Sequence, residues 1–148
     1  METKVVNPKT YFYKEGTTTL NKIHEYADTV VPEVIQEMQK AGIEEAGPME
    51  FLYYGATNDM DKEFTLRIAV PVKEEKPCSD GFHFKKTNDF KCVSSEYKGD
   101  VSKMFPVYEQ MYQHLATKQL QPNDEIREVY IQWENPASDK NIKPWKQK

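Results

Sequence analysis

Residues 125–136 read Glu-Ile-Arg-Glu-Val-Tyr-Ile-Gln-Trp-Glu-Asn-Pro. Val129, Ile131 and Trp133 alternate with Glu128, Tyr130 and Gln132, which is the two-residue period of a strand with two different faces. Glu128 stands in a run of good strand formers, where Glu is disfavoured. It shares a face with Tyr130, so a carboxylate and a phenol stand side by side on a sheet. That pair suits a pocket for an organic, cationic ligand. A solvated face with Glu128 as an ordinary surface charge fits the same pattern. Burial among aromatic rings would desolvate the carboxylate, raise its pKa and favour pairing with a cation. Trp133 falls on the opposite face, which makes it core, or a ligand platform if a bulge near Gln132 reverses the strand.

Other side chains could join such a pocket. Tyr97, Tyr108 and Tyr112 each combine a π-face with a hydrogen-bonding tip, although on an apolar stripe the same residues also serve as packing. Phe51 and Tyr53 carry the same pair of readings. Met38, Met104 and Met111 are adaptable wall or core filling. The three histidines, His24, His83 and His114, form no HxH or HxxxH pair, so no metal site is expected. The nucleophile-elbow, phosphate-loop and dinucleotide signatures are absent, and no cofactor is expected. Cys92 reads as a small buried apolar residue of a strand.

The bulk numbers bound the class. The chain has 148 residues, 38% hydrophobic and 30% charged, which fits one soluble domain spanning 1–148. Nine Tyr, seven Phe and two Trp are an aromatic load suited to a core and to a pocket lining. A net charge of -4 lacks the basic patch that phosphate backbones require, so no direct nucleic-acid binding is expected. No apolar run reaches the ~20 residues of a membrane span, and the opening Met-Glu-Thr-Lys has no apolar signal core. With Cys78 and Cys92 read as free thiols, the expected location is the cytoplasm.

The elements that must position these residues follow from periodicity. Residues 9–14 read as a short strand, turned by Glu15-Gly16. Thr17, Thr18 and Thr19 offer caps for a helix whose apolar stripe runs from Leu20 to Met38. Pro32 inside the stripe predicts a kink or break near Thr29, and Gly42 a C-cap. Residues 49–54 and 63–72 form a hairpin, with Pro71 at a strand end or edge. Residues 73–81 connect two halves. Residues 82–84 are a short bridging strand and 90–97 a longer one. A second helix carries Val101, Met104, Phe105, Tyr108, Met111, Tyr112 and Leu115, with Pro106 early in its run. The strand at 125–136 follows a loop at Gln121-Pro122-Asn123-Asp124.

The order repeats over about 9–72 and 82–148. Tyr13-Lys14-Glu15-Gly16 answers Tyr97-Lys98-Gly99-Asp100, and residues 49–54 answer 128–133. The reading is α+β: duplicated strand-helix-strand-strand units in one antiparallel sheet, two main kinked helices on one face, and a groove between them.

Five segments taken in order resemble a known family: Tyr-Lys-Glu-Gly, Gly-Pro-Met-Glu-Phe-Leu-Tyr-Tyr-Gly, Ala-Val-Pro-Val, Tyr-Lys-Gly-Asp and Arg-Glu-Val-Tyr-Ile-Gln-Trp-Glu-Asn-Pro. Together they are similar to the GyrI-like small-molecule-binding domain, the effector module of AraC-type and MerR-type transcription regulators, which also occurs free-standing. The resemblance implies a pseudo-two-fold fold and an aromatic groove for drug-like, often cationic molecules, with Glu128 matching the acidic residue on its floor. It implies a sensor or sequestering protein, binding multiple drugs, linked to transcription regulation or drug resistance. Some free-standing members are similar to hydrolases of strained cyclopropane toxins, a role Glu128 and Tyr130 would serve here. The tail departs from the family pattern: Pro144 and the lysines oppose a buried strand, so the last strand is expected to be short and at an edge, or lost. A freed edge would leave room for a protein partner or a homodimer.

Overall fold

The computed structural model describes residues 2–57, 59–97, 105–119, 125–130 and 144–147. In chain order these form β1 (Glu2–Val6), β2 (Thr10–Thr18), α1 (Ile23–Ala41), β3 (Glu50–Tyr54), β4 (Phe64–Pro71), β5 (Phe82–Lys86), β6 (Phe90–Glu96), α2 (Phe105–Thr117), β7 (Glu125–Tyr130) and β8 (Pro144–Gln147). The strands make one eight-stranded sheet in the order β1-β6-β8-β7-β3-β4-β2-β5, and every described pairing is antiparallel.

That order is a palindrome. Exchanging β1 with β5, β2 with β6, β3 with β7 and β4 with β8 reverses it. The strand-helix-strand-strand repeat is therefore real in topology, and β1, which the periodicity did not reveal, answers β5. The two halves meet where β3 pairs β7, with Phe51 opposite Glu128 and Leu52 opposite Arg127.

Both helices pack on one face. Val30 and Val34 of α1, one turn apart, enter a core with Phe12, Leu66, Ile68 and Val70, and Tyr108 of α2 packs against the same cluster. Met111 and Leu115 of α2 sit on Val93 of β6. The period-two alternation of the strands sends Tyr11, Tyr13, Leu52 and Ala69 to the other face.

Four expectations change. Glu15-Gly16 is not a turn: β2 runs on to Thr18, with Glu15 opposite Arg67 and Gly16 opposite Leu66. The glycine is required because Tyr26 of α1 lies against it; a Cβ there would fall 2.8 Å from the ring carbon Cε2. The threonines do not cap α1. Thr19 precedes a single 3-10 turn without a side-chain cap bond, and α1 begins at Ile23. Pro32 does not break the helix, which is continuous from Ile23 to Ala41, and Pro106 lies in α2 next to residues outside the described ones. Gly42 ends α1 in the left-handed region at φ 69, its N–H donating to the Met38 carbonyl. The last correction is at the tail. β8 is neither lost nor at an edge but lies between β6 and β7. Pro144 is the first described residue of that strand, opposite Tyr130.

The connector is anchored to α1, where buried Glu37 accepts the Ser79 N–H at 2.8 Å. Neither Cys78 nor the buried Cys92 is in a disulfide. No described helix is long and apolar enough to cross a membrane.

Candidate functional site

Glu128 projects from β7 onto the helix face, where it is only 5% exposed. The surface-charge reading is thereby excluded. Strand alternation and the β3–β7 register surround it: Tyr130 is two residues along the same strand, and Phe51 stands directly opposite, with Tyr53 two residues further along β3. Tyr108 reaches down from α2.

Three phenols converge on the carboxylate. Tyr53 and Tyr130 donate to Oε1 at 2.8 and 2.6 Å, and Tyr108 donates to Oε2. Burial pushes all three phenols well above their ordinary range, and the charge of Glu128 adds to the effect. They keep their protons at neutral pH and act as hydrogen-bond donors, not as acids. Phe51 packs edge-on against Tyr130 at 4.8 Å, and Tyr53 lies 5.6 Å from Phe64. The arrangement is a negative group walled by aromatic rings, whose faces also attract positive charge.

The sequence candidates separate accordingly. Glu128, Tyr130, Tyr53, Tyr108 and Phe51 come together. Tyr97 follows β6 and is half-buried, while Tyr112 is exposed on α2. Trp133 lies outside the described residues. Helical spacing could not tell Tyr108 from Tyr112, since both lie on the stripe four residues apart.

Another buried carboxylate of the sheet was missed. Glu50 is fully buried on the opposite face, bonded by Tyr11 at 2.7 Å and by the Lys9 ammonium at 2.8 Å. Arg127, also buried, donates to Glu125 at 2.7 Å and to the Tyr11 hydroxyl at 3.3 Å. The signal that marks Glu128, a Glu inside an aromatic strand, was present at Glu50 as well. Among the described residues no group of three or more His, Cys, Asp or Glu side chains is placed to hold a metal ion.

Comparison with known proteins places this geometry in context. The sequence model of the GyrI-like small molecule binding domain matches residues 1–143. The fold is similar to the EcmrR C-terminal domain at TM-score 0.84 and 17% identity, covering 99% of this chain and 93% of that one. It is similar to EcmrR in a DNA complex at TM-score 0.82 and 18% identity, where 99% of this chain spans only 55% of the other. SAV2435 bound to tetraphenylphosphonium matches at TM-score 0.67 and 15% identity, covering 99% and 93%. No curated protein matches by sequence.

Proposed function

The chain belongs to the GyrI-like small-molecule binding domain family, and from that premise we propose that it binds a hydrophobic cation in the groove between its two halves, with Glu128 as charge partner. The observation that carries the reading is the convergence of three phenols on one buried carboxylate. A buried charge is costly unless partners compensate it. The three phenol hydrogen bonds hold the carboxylate in place, and a ligand cation in the groove would add a charge-assisted contact to it. Tyr53, Tyr108 and Tyr130 supply ring walls, and Phe51 closes one side. The binding of tetraphenylphosphonium by SAV2435 and the presence of EcmrR on DNA support a sensor or sequestering role linked to transcription regulation. The net charge of -4 supports a role without direct contact to DNA.

The test is titration of wild type and Glu128→Gln with tetraphenylphosphonium, and with phenyltrimethylammonium against its neutral isostere tert-butylbenzene. A hydrogen-bonded charge contributes roughly 1.5–3 kcal/mol, so the substitution should weaken the cations by about ten- to a hundredfold. The neutral isostere should change little. Equal weakening of charged and neutral probes would remove Glu128 from the role.

A further inference from the structure

The sheet face turned away from the helices carries a second concavity of opposite character. Its origin is topological. β5 is the last strand at one edge, and β6 is the second strand from the other. Only residues 87–89 join them. The connector is tied back to the start of β2: the Thr87 N–H donates to the Lys9 carbonyl at 2.8 Å, and the Lys9 N–H to the Thr87 hydroxyl at 3.0 Å. This draws the two ends of the sheet together and curls it around a cavity of ≈ 340 Å³, within the range of small-ligand pockets.

Leu52 and the rings of Tyr13 and Tyr54 line the cavity, and Arg67 lies between those rings. Its guanidinium carbon is 4.5 Å from the Tyr13 centroid and 4.9 Å from that of Tyr54. Glu15 accepts from Arg67 Nε at 2.7 Å, and the two terminal amino groups of Arg67 make no hydrogen bond among the described residues. Those two groups form the fork that matches a carboxylate with two parallel bonds. Lys85, on β5 opposite Tyr11, is exposed at the rim and has no ion pair among the described residues. Arg127 lies on the Phe90 ring, 3.9 Å from its centroid. Four cations, Arg67, Lys85, Lys86 and Arg127, thus face two carboxylates, Asp89 and Glu125, in a chain whose net charge is -4.

We propose that this second cavity binds a small planar aromatic carboxylate, its ring against Tyr13 and Tyr54 and its carboxylate on the Arg67 fork. The aromatic walls select a ring over inorganic phosphate, and the excess of cations rejects the positive ligands proposed for Glu128. The two faces would then take ligands of opposite charge.

The probe is 2-naphthoate, with 2-naphthylmethylammonium as its cationic counterpart, followed by amide resonances of the whole chain. The expected result is saturable shifts at residues 85–89 and 125–127 with the carboxylate and none there with the ammonium. Arg67→Met keeps much of the packing and removes the fork, and should weaken 2-naphthoate by about ten- to a hundredfold. Lys85→Met changes an exposed side chain and should weaken it by about two- to fivefold through loss of rim charge. Shifts confined to other residues, equal response to both probes, or unchanged affinity in Arg67→Met would overturn the proposal. If Arg67→Met fails to fold, unchanged affinity in Lys85→Met overturns it instead.

Discussion

Glu128 and Glu50 are buried carboxylates on opposite faces of paired strands, and they differ in their partners. Glu50 is neutralised within the protein by Lys9 and serves the fold. Glu128 is held by phenols. Because Tyr53 and Tyr130 share the single acceptor Oε1, their contributions should be coupled. Tyr53→Phe and Tyr130→Phe should each lower stability by about 1.5–3 kcal/mol. The double variant should depart from the sum by at least about 0.5 kcal/mol, since both substitutions act on the same oxygen. Denaturant unfolding of the four proteins measures the coupling, and strict additivity would show that the phenols do not share the oxygen. At this scale the sequence was informative where composition was out of place, at Glu128. It was silent on the Lys9–Glu50–Tyr11 network, because Glu50 lies 41 and 39 residues from Lys9 and Tyr11 in the chain and meets them only in the folded sheet.

At the scale of elements, Gly16 fixes how α1 lies on β2. Tyr26 occupies the space a side chain would need. Gly16→Ala should destabilise the protein by about 1–3 kcal/mol through overpacking. Tyr26→Ala in the same chain should recover most of that difference, as judged against Tyr26→Ala alone by thermal unfolding. An additive pair would mean the glycine matters for another reason. The sequence announced Gly16 as a turn because glycine beside a charged residue is the usual turn signal. Its true role depends on a ring ten residues away and was not legible locally. The strands β3 to β6, α1 with its Gly42 cap and the repeat were all legible, since each is written in local periodicity. The strands β1 and β8 were not. Both are short, and β1 alternates exposed and half-buried positions without a strongly apolar face.

For the whole molecule, the palindromic strand order builds one sheet with two packed faces and buries phenols on both. Burial raises the pKa of Tyr26 and Tyr54 to about 12, with the carboxylates near each adding to the rise. Tyr11, Tyr53, Tyr108 and Tyr130 are raised further, by burial and by the charge of Glu50 or Glu128. A phenol whose folded pKa lies above its unfolded value of 10.0 stabilises the fold fully below pH 10, and that contribution is lost as pH rises through the folded value. Absorbance titration at 295 nm should show these six phenols ionising only above the ordinary range, together with loss of the near-ultraviolet dichroism. Ionisation of all nine near pH 10 in the folded state would contradict the burial. The same strand order brings Glu2 of β1 and Gln147 of β8 to the two sides of one strand. Ser94 on β6 has Glu2 on one side and Gln147 on the other. Those two positions are two strand spacings apart, about 10 Å. Set into a surface loop of a reporter enzyme, the chain would enter and leave its host at nearly one point, beside the strand that carries α2. Occupancy of the groove under that helix would then reach the host as strain across a gap of about 10 Å.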